Sequence, residues 1–579
     1  MNKKKANNEH KKTMSVKKLV TGLLNDKKSI WLYVFLAGST INLIAIGTAL
    51  YSMQVYDRVL PRQGTDTLIV LTIGVLLAYC FQYTLQKLRS RIVEHIVSYL
   101  DKTISVYIYD SLMKVRLDVI PVNSGTFSSQ LQGYEAIRGF FVTLFSFGIV
   151  DAPYAILFLF ALFLLSGPLV ASIPAVIFLM MVLYGVLQHY RIRTYSRKKF
   201  TTQNRKQGLL LETIQGLETI KANNIFTALS SRWNKMSVEA LENDMGIRHI
   251  SESTAYTAQF FQQVGYALVV AAGAALAATT TNITSGAILA SSIIAGRILA
   301  PVASIPMLLV QAAQAKVAEN ALNQFLKMET ENQLESNTLS PDILNGEWWI
   351  DSMTYEFPGR HHPLQVPRLK IEKGERVGII GSVGAGKSTL LKLLIGLYPQ
   401  TSGQIHLDGL DIRHISRESL SNSIAYLPQS PTLFAGTLRS NFQVICPEAT
   451  EQEIINISKT TGLIDLIANN PKGLDLPIGE KGDGLSAGQQ QLISLSMVLL
   501  RNKNIWLFDE PTSSLDPETE RRAITAINNV LTENSVMIMV THKFSTLELV
   551  NRLIIITADG RFIDGQKNDV LEYLKSNNK

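Results

Sequence analysis

The residues with the plainest chemistry form one unbroken run: Gly381, Ser382, Val383, Gly384, Ala385, Gly386, Lys387, Ser388 and Thr389, with the spacing G-x4-G-K-[ST]. An apolar stretch precedes the run, and an apolar helical segment, Leu390 to Ile395, follows it. A loop of this kind turns its backbone N–H groups inward onto phosphate oxygens, and the helix start behind it adds partial positive charge. Lys387 is placed to reach the outer phosphates of a nucleoside triphosphate, and Ser388 to ligate Mg2+. A second run, Ile505-Trp-Leu-Phe-Asp509-Glu510, is an apolar strand ending in two acids. A buried strand can hold Asp509 at its tip beside the metal, while Glu510 can polarise an attacking water as a general base. Acidic pairs after strands also occur as helix caps. Beside a phosphate loop, the hydrolytic reading takes precedence.

These residues need a sheet to hold them. From Glu347 onward, short β-branched runs (Arg376 to Ile380, Ile424 to Leu427, Ile505 to Phe508, Val536 to Val540, Leu553 to Ile556) alternate with helical ones. That alternation predicts an α/β domain with a largely parallel sheet. Ahead of it lies a different kind of sequence. Apolar stretches run from about Trp31 to Gln54, Thr67 to Tyr83, Phe141 to Leu187 (two spans split by Ser166-Gly167-Pro168), Ala258 to Thr279 and Ala287 to Val310. Each span approaches the ~20 residues that cross ~30 Å of hydrocarbon. Residues 85–140 and 188–254 are polar, rich in helix formers and poor in Gly and Pro, so they read as helices continuing past the bilayer. The short connections, Val55 to Asp66, Ser166 to Pro168 and Thr280 to Ser285, read as loops on the opposite face.

Bulk properties agree. Of the 579 residues, 46% are hydrophobic and only 18% charged, so part of the chain is written for lipid. The net charge of +8 is concentrated beside the apolar runs: nine lysines between Lys3 and Lys28, then Lys87, Arg89 and Arg91, then Arg191, Arg193, Arg197, Lys198 and Lys199. This distribution follows the positive-inside rule and places the N-terminus on the cytoplasmic face; it does not suggest nucleic acid. Cys80 and Cys446 are too far apart in kind and place for a disulfide framework, and no Cys/His metal spacing occurs. The lysine-rich start runs into a span too long for a signal peptide. Residues 16–24 suit an interfacial amphipathic helix, with a solvated tail before it. The organisation read from the chain is a basic N-terminus (1–30), a six-span membrane domain (31–315), a helical extension and linker (316–346) and a nucleotide-binding domain (347–579).

Leu485-Ser486-Ala487-Gly488-Gln489 resembles the LSGGQ signature of ABC ATPases, and it stands shortly before Asp509, as in that family. The resemblance implies further parts, and the sequence carries residues that match them. Gln429 in Tyr-Leu-Pro-Gln is similar to the glutamine that contacts Mg2+ and water; Ser514-Leu515-Asp516 is similar to the D-loop; His542 in Val-Thr-His is similar to the switch histidine. Phe357 stands where an aromatic stacks on adenine, though a core strand aromatic is the alternative reading. What the resemblance implies is a six-helix transmembrane ABC exporter bundle joined to an α/β phosphate-loop nucleotide-binding domain. It implies a head-to-tail pair of cassettes, each ATP lying between one chain's Lys387 loop and the partner's Ser486 to Gly488. Coupling helices are then expected near Ser124 to Glu135 and Leu211 to Ile220. Two departures stand out: Ala487 replaces a signature glycine, and Gln490 and Leu492 occupy positions where the family often has arginine.

In the membrane half, Met53-Gln-Val-Tyr-Asp-Arg-Val-Leu-Pro61, Gly296-Arg297-Ile-Leu-Ala-Pro301 and Gly216-Leu-Glu-Thr-Ile-Lys221 resemble segments of type I secretion exporters of RTX-like proteins. This implies a multi-pass protein of the bacterial inner membrane, working as a homodimer or heterodimer with a periplasmic membrane-fusion adaptor and an outer-membrane channel. The cargo would be an unfolded protein with an uncleaved C-terminal signal. Only about 30 residues precede the first span, so neither leader-peptide cleavage nor recruitment through an N-terminal peptidase-like domain is expected. A lipid, peptide or small-molecule exporter, and a low-turnover member of a heterodimer or an ATP-gated regulator, are the alternatives. Arg297 in an apolar span is costly and is expected to face a cavity or a partner.

Overall fold

The structure, a computed structural model, describes residues 15–25, 28–121, 127–128, 131, 133–144, 153–279, 283–331, 338–356, 363–557 and 560–577. The chain forms two units, Met1–Met113 with Pro121–Met328, and Lys114–Ile120 with Glu329–Lys579.

The first unit is helical: α1 Val16–Asn25, α2 Lys28–Gln54, α3 Thr65–Lys114, α4 Tyr134–Thr143, α5 Tyr154–Gln215, α6 Phe226–Thr279, α7 Ser285–Leu299 and α8 Ile305–Leu326. Among the described residues, the stretches Leu32–Arg62, Thr65–Lys114, Tyr154–Gln215 and Phe226–Thr279 are long and apolar enough to cross a membrane, and Ser285–Leu299 is a shorter apolar helix. The 50 residues of α3 extend roughly 75 Å at ~1.5 Å per residue. That is more than twice the hydrocarbon thickness. The apolar window of α3 is buried nowhere in the chain, leaving Val70 and Leu77 about two-thirds exposed, as a lipid-facing surface requires. Inside the unit, α2, α5, α6 and α7 meet around Ala45, Ala49, Leu162, Val269, Ala290 and Ile294. Small residues there let helix backbones approach closely.

The break predicted at Ser166 to Pro168 is present within α5, where Gly167 adopts φ +80° and ψ 177°. Three expectations are corrected. The connection after α2 is not a loop: Val55–Val59 forms a π-helical turn and Leu60–Arg62 a helical one. Asp57 holds it, accepting hydrogen bonds from Thr284 Oγ1 (2.5 Å) and from the Gly286 N–H (2.8 Å), so it anchors the start of α7. The last span is not continuous; a 3-10 turn, Ala300–Ser304, separates α7 from α8 where Pro301 and Pro306 remove backbone donors. Finally, α1 does not lie with its apolar face in lipid alone. Val16 and Val20 are buried, and the Val16 N–H donates to Asn323 Oδ1 of α8 at 3.0 Å.

The second unit contains two main sheets. A mixed six-stranded sheet carries, in order, Phe562–Gln566, Arg552–Ile556, Arg376–Gly381, Val536–Val540, Ile505–Asp509 and Ile424–Leu427. All pairings in it are parallel except the edge strand Phe562–Gln566. Its central strands are buried on both faces, and every residue of Val536–Val540 is fully inaccessible, which is why they read as unbroken apolar runs. An antiparallel sheet built around Trp348–Tyr355 and Ser402–Leu407 packs beside it. Its main strand mixes buried and exposed residues irregularly, and sequence reading did not resolve the sheet. Within this unit Lys114–Ile120 is tied on by a bridge from Val115 to Thr330 and by Arg116, whose guanidinium pairs with Asp118 and Glu329.

Candidate active site

The strand Arg376–Gly381, here β1, feeds the phosphate loop, and α9 (Lys387–Leu394) leaves it. Three loop glycines have positive φ: Gly381 (+153°), Gly384 (+82°) and Gly386 (+96°). At Gly381 a Cβ would stand 2.1 Å from the Ile556 carbonyl oxygen, so only glycine lets β1 and Arg552–Ile556 pair there. The loop curls round the Lys387 ammonium, which donates to the carbonyls of Gly381 and Ser382, both at 2.8 Å. Burial lowers the Lys387 pKa, against the pull of Glu510 and Asp509.

The strand Ile505–Asp509, β2, delivers Asp509 to the same place. Asp509 is 1% exposed, and its Oδ1 has no hydrogen-bond partner. Burial pushes its pKa above the ordinary carboxylate value; a hydrogen bond with Ser388 pulls the other way, and the charge of Glu510 adds to the rise. A buried carboxylate oxygen without a donor, beside a hydroxyl and a phosphate loop, fits a hard divalent cation with oxygen ligands. Asp509 and Ser388 therefore suit Mg2+. The raised pKa has a consequence for stability. Protonated Asp509 favours the folded state, so this contribution is complete below the unfolded carboxylate pKa and is lost as pH rises through the folded one. At neutral pH, without nucleotide or Mg2+, Asp509→Asn is expected to raise the thermal midpoint, by about 1 kcal/mol or more of stability, while abolishing hydrolysis. Melting curves should show the gap closing as pH falls into the carboxylate range; a variant that melts lower at neutral pH contradicts this.

Glu510 follows directly and occupies the left-handed region, φ +52°, which few non-glycine residues adopt. Its N–H donates to the Val540 carbonyl at 2.8 Å. Gln429 Nε2 donates to its Oε1 at 2.9 Å, and His542 Nε2 lies 3.7 Å from the same oxygen. The structure thus gathers Lys387, Ser388, Asp509, Glu510, Gln429 and His542 at one end of the parallel strands. Phe357 lies outside the described residues.

The signature residues form a second group. Ser486 caps α10 (Ala487–Leu500): its hydroxyl accepts from the Gln489 N–H at 3.2 Å, and Gln489 Oε1 accepts from the Ser486 N–H at 2.9 Å. This reciprocal capping box fixes the helix start. Ala487 is the first helical residue and does not require positive φ, so its methyl group introduces no backbone strain. Gln490 spans the preceding turn, donating to the carbonyls of Gly482 (3.0 Å) and Leu485 (3.1 Å), and Leu492 is core. Asp516 caps α11 (Pro517–Val530), accepting from the N–H groups of Glu518 and Thr519, both at 3.1 Å.

Two residues that sequence reading missed complete the arrangement. Lys543, next to His542, donates to the carbonyls of Thr512 (2.7 Å) and Leu515 (3.3 Å) and pairs with Glu520 at 3.2 Å. Gln491 donates to the carbonyl of Glu510 at 2.6 Å. Neither carries a sequence signal beyond its motif neighbours. Together the groups can bind a nucleoside triphosphate with Mg2+, orient a water and accept its proton.

Comparison with known proteins gives the same architecture. The ABC transporter transmembrane region matches residues 31–302, and the ABC transporter family matches residues 364–513. The type I secretion system ATP-binding protein PrsD of Rhizobium meliloti (strain 1021) is 27% identical over 95% of this chain and 93% of its own. The alpha-hemolysin translocation ATP-binding protein HlyB of Escherichia coli O157:H7 is 26% identical over 94% of this chain and 77% of its own. The cyclolysin secretion/processing ATP-binding protein CyaB of Bordetella pertussis (strain Tohama I / ATCC BAA-589 / NCTC 13251) is 26% identical over 90% and 73%. The structure of a bacterial Atm1-family ABC exporter with ATP bound superposes with a TM-score of 0.80 at 20% identity, covering 95% of this chain and 96% of that one.

Proposed function

Because this chain belongs to the ABC transporters, as an exporter that couples ATP hydrolysis to transport, we propose that it works in pairs to move an unfolded, RTX-type protein out of the cytoplasm. The observation that carries the hydrolytic part is the meeting of Gln429, Glu510 and His542 beside Asp509 and Lys387. Lys387 and the loop N–H groups bind the triphosphate, and Phe357 stacks on adenine. Glu510 takes the proton of the attacking water while Gln429 and His542 hold its carboxylate in place. Asp509 and Ser388 would hold Mg2+, which when bound would supply positive charge to the phosphate oxygens. The partner's Ser486 to Gly488 closes over the triphosphate, and Asp516 keeps the D-loop helix capped.

The cargo assignment is supported by the relatives, whose names specify type I secretion, alpha-hemolysin translocation and cyclolysin secretion. A periplasmic adaptor, an outer-membrane channel and surrounding lipid are the partners that this reading entails. The lysine-rich N-terminus supports a cytoplasmic position for it and for the ATPase unit. Arg297 is exposed on α7, between the buried Ala295 and Ile298, where a cavity or second chain would meet it. Of the proposed second coupling segment, Leu211 to Ile220, the first half ends α5 and the rest falls in a short helix, Leu217–Ala222, after the Gly216 break; half of 124–135 lies outside the described residues.

The test is co-purification of the Glu510→Gln chain, crosslinked in the presence of ATP and Mg2+ in cells that carry its neighbouring genes. A second exporter chain, an adaptor and a polypeptide held by its C-terminus are expected. Recovery of the paired exporter with ATPase activity stimulated by lipid or a small molecule, and indifferent to any polypeptide, would overturn the cargo assignment.

A further inference from the structure

Gln491 lies on α10 two residues beyond the signature residues Ser486 to Gln489, and only 4% of it is exposed. Its amide makes three hydrogen bonds, all with a single region of the chain. Nε2 donates to the Glu510 carbonyl at 2.6 Å and to Ser513 Oγ at 3.1 Å, while Oε1 accepts from the Ser514 N–H at 2.6 Å. One side chain of the signature helix therefore holds the peptide group of the proposed base and the backbone of the D-loop together. Glu510 needs such a hold. Its left-handed backbone is disfavoured for a residue with a Cβ and persists where the surroundings over-determine it. Its N–H is fixed by Val540, and its carbonyl is fixed by Gln491. A second contact ties the same two elements: a Cβ at Gly488 would stand 2.9 Å from the Ser514 carbonyl oxygen, so the helix start lies directly on the D-loop backbone.

We propose that Gln491 is a positioning residue that couples the signature helix to Glu510 and the D-loop of its own chain, so that occupancy of the partner's nucleotide site sets the hydrolytic geometry of this one. The inference rests on the functional reading above, in which Ser486 to Gly488 face the partner's triphosphate. When the helix start engages that triphosphate, α10 shifts as a rigid rod, and Gln491 carries the shift to the Glu510 peptide. The carboxylate, carried by the residue whose own φ is strained, responds by re-aiming at the water. Gln491 itself touches neither nucleotide nor water. Its contribution to the rate is entirely through Glu510 and the D-loop.

The experiment uses the full chain in lipid nanodiscs with two substitutions. Gln491→Met keeps the length and volume and removes every hydrogen bond. Its kcat is expected to fall about tenfold or more, with KM for ATP little changed and the Hill coefficient for ATP falling from above 1 in wild type to about 1. Gln491→Glu keeps the acceptor for Ser514. Its carboxyl can donate to the Glu510 carbonyl only when protonated, so its activity relative to wild type should rise as pH falls. Thermal melting and fluorescent-nucleotide binding establish that both variants fold. A Met variant with wild-type Hill coefficient, a wild type without cooperativity, or a pH-independent ratio for the Glu variant overturns the coupling. Failure of wild type to hydrolyse ATP, or of Glu510→Gln to retain it, overturns the functional reading instead.

Discussion

A Glu510→Gln chain is expected to hydrolyse ATP at least about a hundredfold more slowly than wild type while binding it undiminished, the range in which a general base contributes. The substitution conserves size, so the left-handed backbone at 510 and its bonds to Val540 and Gln491 remain. Gln429 can still donate to the side-chain oxygen it reaches at 2.9 Å. What disappears is the ability to take the proton from a water, and with it the rate. Phosphate release under saturating ATP measures the loss, and a filter assay for retained nucleotide shows that binding survives. A drop of less than about tenfold would move the base elsewhere, since no other contact has changed.

The largest effect on folding is expected at the start of the phosphate loop. Gly381→Ala places a methyl group 2.1 Å from the Ile556 carbonyl oxygen, at φ +153° and at the paired end of its strand. The obstructing atom belongs to backbone and cannot swing aside. Either the register between Arg376–Gly381 and Arg552–Ile556 opens or the loop tilts. The cost should be about 3 kcal/mol or more, and nucleotide binding should fail with it. Gly384→Ala is the internal comparison: its φ is also positive, +82°, but a Cβ there meets nothing within 4 Å, so the penalty should be nearer 1 kcal/mol. Thermal midpoints of the two chains read the difference directly. Equal destabilisation would mean that the strand pairing at Gly381 is not as close as described.

Much of this is legible in the sequence, for a physical reason. Parallel strands buried on both faces must be apolar throughout, so Ile505–Asp509 and Val536–Val540 announce themselves, and the acids at the tip of the first stand out against them. The phosphate loop is equally plain because its glycines are dictated by backbone geometry. The antiparallel sheet around Trp348–Tyr355 was not readable, because its burial alternates irregularly and one strand shifts register between Asp351 and Thr354. The helical turns at 55–62 were hidden behind Asp57, Arg58 and Pro61, residues that ordinarily mark a loop; their order comes from Asp57 gripping Thr284 and Gly286 far along the chain. Gln491 could not be singled out from Gln489 and Gln490 by type. Only the helical phase of α10 turns it inward while its neighbours serve the cap and the preceding turn.

The substitution of alanine for glycine at 487 gains a physical account. The position is the first of a right-handed helix, with a capping box directly before it, so glycine's conformational freedom is not needed there. The chain therefore retains both halves of the machinery, and the departure from the family pattern gives no reason to expect an inactive site.

The most direct test of the central claim is translocation in proteoliposomes whose ATPase units face outward, supplied with ATP, Mg2+ and an unfolded polypeptide carrying its own C-terminal signal. Wild-type chains should place the polypeptide beyond the reach of added protease, and Glu510→Gln chains should not. Vigorous ATP hydrolysis with the polypeptide left fully digestible, in the presence of the adaptor, would contradict the account.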